Sequence, residues 1–273
     1  MTQDQLPLLI GREGAVATLR FNRPAALNAL DVPMAQAFLA AAKDIAADKS
    51  VRAVLLSGSG KGFMAGGDLA VLQADPLGGA KALIGPLHEA LVVLAGIDAP
   101  IVAQVHGVAA GAGLSLMLQA DFVLAAEGTR FNLAYVNIGA SCDVGASWAL
   151  PRWVGLRRAL EIAMLGDMLD AAGAERMGLV NQVLPADALP EAAMALAQRL
   201  AGGPTVALGQ LRRLMRSSFD RALPEQLDAE SAAFQVCAAT EDFRTGVAAF
   251  FAREKAQFSG RWARAGPGLR RRA

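Results

Sequence analysis

The sequence predicts an α/β fold, and three observations carry that prediction. Short apolar runs suited to strands alternate with helical patterns up to about residue 200. Two of these runs end in glycine-rich corners, at 57–68 and 106–113. Beyond residue 200 the pattern is helical only.

Residues 14–21 read as a strand, stopped by Asn22, Arg23 and Pro24. Asp31 is placed to cap a helix whose first turn tolerates Pro33. Met34, Phe38, Ala42 and Ile45 recur on one face of that helix. Residues 51–56 are continuously apolar enough for a strand covered on both sides. The chain then turns through glycines, with a helix start expected near Asp68. Residues 75–79 read as a Pro/Gly loop and 80–96 as a helix. The break at Asp98, Ala99 and Pro100 launches the run Ile101–Val105 into the second corner. There Gly107, Gly111 and Gly113 permit close backbone approach before a buried apolar helix from Leu114.

A strand is expected at 121–126. Residues 131–147 are irregular and unusually polar, with Asn132, Tyr135, Asn137, Ser141 and Asp143. Helices are expected at 155–165, 171–177 and 187–200, with a short strand at 179–183. Pro204 opens a helix running to Arg216, and a longer one spans about 221–239. Thr240 caps the last, where Phe243, Val247, Phe250 and Phe251 lie at helical spacings. The resulting organisation is a core over 1–200 that carries the site, a helical region over 201–260, and a basic tail over 261–273. The helical region makes a poor independent bundle and reads as an appendage that packs on a neighbour or back across the site.

The 273 residues are 54% hydrophobic and 19% charged, which implies a large core. Aromatics at 5% offer no stacking platform for nucleic acid. Five arginines and no acid in 261–273 leave 1–260 at −4, so the tail reads as a solubilising terminus. Two cysteines make no disulfide scaffold. The N-terminus has no basic leader, and Gln104 and His106 interrupt the most apolar span. These features predict a soluble cytoplasmic protein with no membrane or nucleic-acid partner. Residues 57–61 lack the Walker spacing, and His88 and His106 have no ligand-spaced carboxylate, so neither a nucleotide loop nor a metal site is expected.

Four motifs follow in order: Leu19-Arg-Phe-Asn-Arg-Pro24 with Leu27-Asn-Ala-Leu30, Lys61-Gly-Phe-Met-Ala-Gly-Gly-Asp68, His106-Gly-Val-Ala-Ala-Gly-Ala-Gly113, and Ile138 to Gly145 with Leu150-Pro-Arg152. Together they resemble the crotonase family of enoyl-CoA hydratases and isomerases. The likeness covers about residues 10–260. It implies a spiral of ββα units with a C-terminal helical trimerisation region, assembling as a homotrimer or a dimer of trimers. It further implies an acyl-CoA substrate, no separate cofactor, and an oxyanion hole from the amides of Gly67 and Ala112.

The two glutamates typical of the family's hydratases fall on Ser115 and Tyr135. Serine is a poor base without a partner, and tyrosine titrates near about 10. The retained carboxylate is Asp143, at a position resembling that of ring- or dienoyl-type isomerases. One carboxylate can remove a proton and return it to another carbon without activating water. The expectation is therefore an isomerase, with an atypical hydratase and a non-catalytic acyl-CoA-binding subunit as alternatives. Met64, Ala65, Ser115, Tyr135, Asn137 and Cys142 are candidates for the pocket. Arg23, Lys61, Asp68 and Lys255 are candidates for the CoA moiety, with Asp68 also expected to hold the corner's shape. His88 and His106 read as structural or surface residues.

Overall fold

The computed structural model describes residues 6–260. The tail at 261–273 and its reading as a basic terminus lie outside them.

The chain opens with a hairpin, β1 (Leu8–Glu13) and β2 (Val16–Phe21), turned at Gly14 with φ 59°. Sequence patterning does not reveal β1, because its apolar residues, Leu8 to Ile10, are consecutive and do not alternate with polar ones. Helix α1 (Val32–Ala47) follows, its Asp31 cap accepting from the Met34 amide at 2.9 Å. Strand β3 (Ala53–Gly58) pairs parallel with β2, and its residues are buried on both faces as the continuous run predicts.

Next come α2 (Leu69–Ala74) and α3 (Pro76–Gly96). Residues 75–79 are therefore not a loop. Asp75 caps α3 by accepting from Gly78, and Pro76 sits in the first turn, where its missing N–H costs nothing. Strand β4 (Ile101–Val105) leads into β5 (Val108–Ala110), then α4 (Ala112–Met117). Strand β6 (Phe122–Ala126) leads likewise into β7 (Arg130–Asn132). Residues 131–147 are more ordered than expected, with a 3-10 turn over Tyr135–Ile138 after β7.

Helices α5 (Ala146–Val154) and α6 (Leu156–Leu165) are split at Gly155, φ 76°. Then follow β8 (Leu169–Asp170), α7 (Ala171–Arg176), β9 (Gln182–Leu184) and α8 (Leu189–Ala201). The strand expected at 179–183 is shifted, because Leu179 and Val180 bury in the preceding turn.

The main sheet has the order β1-β2-β3-β4-β6-β9, and β5-β7-β8 form a second sheet. Each passage from β4 to β5 and from β6 to β7 thus carries the chain from one sheet to the other, which is the ββα spiral. Phe21, Phe38 and Leu56 anchor the core on one face of the main sheet. On the other, Leu189, Ala193 and Ala197 of α8 cover Val16, Leu55 and Val102.

The C-terminal helices are α9 (Thr205–Ser217), α10 (Leu223–Ala238) and α11 (Glu241–Ala252). Buried Arg212 fastens α9 to the core by donating to the carbonyls of Leu94 at 2.7 Å and Ile97 at 2.9 Å. Phe250 and Phe251 on α11 are about four-fifths exposed, at 78% and 80%.

Candidate active site

The two glycine corners lie against each other. Met64 donates to the Val108 carbonyl at 3.0 Å, and Ala110 donates back to Met64 at 2.9 Å. Gly113 is required here, since a Cβ would run into the Met64 carbonyl oxygen. The turn before α1 closes the other side. Leu30 donates to the Gly66 carbonyl and accepts from the Asp68 amide, both at 2.8 Å.

That parallel bridge takes the groups flanking Gly67 and turns the amide of Gly67 itself away from Leu30. Ala112 opens α4, where first-turn amides have no intrahelical acceptor. Both residues line one cavity of about 590 Å³. A Cβ on Gly67 meets nothing within 4 Å, so its open side is the cavity.

Asn28, noticed in the sequence only as part of a motif, is what holds the turn in place. It is fully buried with φ 58° and donates to the carbonyls of Ser59 at 2.9 Å and Gly62 at 2.8 Å. Arg23 bridges Asp31 at 3.1 Å and Asp68 at 2.9 Å, while Asp68 also accepts from the Ala70 amide. Arg23 and Asp68 thus neutralise each other within the corner. Lys61 and Lys255 are exposed.

The opposite wall is polar. Tyr135 donates its phenol proton to Asp143 Oδ1. Ser115, fully buried, stands 3.0 Å from the Tyr135 oxygen and 3.1 Å from the Gly111 carbonyl. The Tyr135 proton is committed to Asp143, so the Ser115 proton divides between Tyr135 and Gly111. Burial pushes the Asp143 carboxyl above its ordinary value, against the opposing pull of the Tyr135 hydrogen bond. Burial, reinforced by the Asp143 charge, also raises Tyr135, which stays a phenol.

Of the pocket candidates, Ala65, Tyr135 and Cys142 line this cavity, with Gly67, Ala112 and Asp143. Ser115 stands behind Tyr135 rather than on the lining. Met64 is fully buried beneath the corner, and Asn137 is exposed with its carboxamide directed at Gly166.

His88 reaches the site, contrary to its reading as a structural or surface residue. On α3 it follows Ile84 by one helical turn, on the helix face that lines the cavity. Ile84, Leu83 and Leu87, with Leu72 of α2, form the apolar side of the cavity beside it. Among the described residues, no cluster of three or more His, Cys, Asp or Glu side chains is placed to hold a metal.

The enoyl-CoA hydratase/isomerase family model matches residues 11–261. The chain is 37% identical to a 1,2-epoxyphenylacetyl-CoA isomerase of Escherichia coli, covering 91% of this chain and 97% of that one. It is 33% identical to a 2,3-dehydroadipyl-CoA hydratase of the same organism, covering 93% and 98%. The crystal structure of an enoyl-CoA hydratase from Polaromonas sp. JS666 superposes with a TM-score of 0.87 at 30% identity, covering 92% and 99%. With motifs, spiral and cavity in agreement, the chain belongs to the enoyl-CoA hydratase/isomerase (crotonase) family.

Proposed function

We propose that this enzyme shifts a double bond in an acyl-CoA thioester through an enolate. The observation that carries the reading is that Asp143 is the one carboxylate among the described residues lining the cavity. Ser115 and Tyr135 stand where a hydratase of this family has its two glutamates, and neither is built to activate water.

In this reading the thioester oxygen sits between the amides of Gly67 and Ala112. Losing one such donor costs about 3 kcal/mol of transition-state stabilisation in other enzymes. Asp143 breaks a C–H bond beside the unsaturated thioester and takes the proton, and negative charge moves to the thioester oxygen. The O–H bond so formed on Asp143 then breaks as the proton is returned at the far carbon, and the enolate electrons re-form the thioester carbonyl with the double bond moved. Desolvation makes Asp143 a stronger base than an exposed carboxylate, and the Tyr135 phenol keeps it oriented. Lys61 and Lys255 are the exposed cations proposed to meet the CoA phosphates. The exposed Phe250 and Phe251 form an apolar face suited to a contact between copies, which we assign to the homotrimer or dimer of trimers that the resemblance implies.

Hydration is the second reading, favoured by the hydrogen-bonded Tyr135 and Asp143 on the cavity lining, which offer polar groups to a water. Incubation with 3-enoyl-CoA and 2-enoyl-CoA, with migration and hydration followed separately, divides the two. Migration without hydration is expected. Hydration of 2-enoyl-CoA as the faster reaction overturns the isomerase reading.

A further inference from the structure

Val144, immediately after Asp143, is fully buried and has φ 51°. A β-branched residue in the left-handed region is an outlier that its surroundings must enforce. Both of its backbone polar groups are held. The Val144 amide donates to His88 Nε2 at 3.2 Å, and the Val144 carbonyl accepts from Gln119 Nε2 at 3.2 Å. Gln119 is itself fixed, because Arg216 donates to its carbonyl at 2.7 Å and to Asp121 at 2.8 Å.

We propose that His88 is a positioning residue: its unprotonated Nε2 holds the Val144 amide, and with Gln119 it forces the left-handed turn that presents Asp143 to the cavity. A backbone N–H only donates, so Nε2 serves as the acceptor and the ring proton sits on Nδ1. This inference rests on the proposed role of Asp143 for its kinetic consequence, but the clamp itself is read independently of turnover.

The test compares His88→Leu, which removes the acceptor, with His88→Gln, whose amide oxygen reaches about the place of Nε2. For 3-enoyl-CoA isomerisation, His88→Leu is expected to lower kcat at least ~10-fold, with KM within ~2-fold, and His88→Gln to restore most of the rate. Hydrogen exchange is followed at the Val144 amide, with the β3 and β4 amides as controls. His88→Leu speeds exchange at Val144 alone, and His88→Gln keeps it protected. Unchanged exchange in His88→Leu overturns the clamp, whatever the enzyme's reaction proves to be. A His88→Gln enzyme as slow as His88→Leu also overturns it, because the ring would then act through its own proton. Should His88→Leu unfold, Gln119→Met tests the other hold. Faster exchange at Val144 supports the clamp, and exchange as slow as in the parent protein overturns it.

Discussion

The two walls of the cavity are built by opposite means. One is backbone: Gly67 and Ala112, whose amides are the proposed oxyanion donors, set by corners in which the side chains have been reduced to almost nothing. The other is side chain: His88, Tyr135 and Asp143 on the lining, with Ser115 behind Tyr135, brought together from α3, α4 and the segment after β7. The first wall carries no titratable group and tolerates no crowding at Gly113. The second depends on protons. Steric substitutions should therefore separate from isosteric ones according to the wall they touch.

The largest effect is expected on the polar wall. Asp143→Asn should lower kcat for double-bond migration by about 10²–10⁴-fold, with acyl-CoA affinity retained in an equilibrium titration. The same substitution should raise the melting temperature at neutral pH. A native carboxyl with a raised value binds protons more tightly than the unfolded chain does. Its penalty is absent below the ordinary value of about 4, and complete above the raised native value. Stability therefore falls as pH rises through that window, and asparagine removes the fall.

On the backbone wall, Gly113→Ala should spread the corners and cost about 10²-fold in kcat together with a lower melting temperature, because its Cβ collides with the Met64 carbonyl. Gly67→Ala is the sharper companion. It has open space at its Cβ, so the melting temperature should hold while KM rises.

Tyr135→Phe removes the hydrogen bond that holds the Asp143 value down. The acid limb of the kcat/KM profile should move to higher pH, with the loss greatest at the acid end. Ser115→Ala should have the smallest effect, about 3-fold in kcat, because its proton is shared with the Gly111 carbonyl and Tyr135 keeps its bond to Asp143.

The sequence made the backbone wall legible because glycine is conspicuous where a Cβ cannot fit, as at Gly113. It made Asp143 legible as the carboxylate left in a motif that lacks both glutamates. His88 was not legible as a site residue, because a lone histidine on an apolar helix face has many structural explanations. Only the fold places it beside Val144. Strand β1 escaped because its exposed residues show no strong alternation, and the start of α3 escaped because Pro76, Gly78 and Gly79 resemble a loop until the Asp75 cap is seen.

The most direct measurement is a crystal structure with a non-reactive acyl-CoA thioester analogue bound. The account predicts the thioester oxygen about 2.7–3.1 Å from both the Gly67 and Ala112 nitrogens, with the Asp143 carboxylate facing the acyl carbons. An oxygen seated away from those two amides, or an Asp143 turned behind protein with no path to the acyl chain, would contradict it.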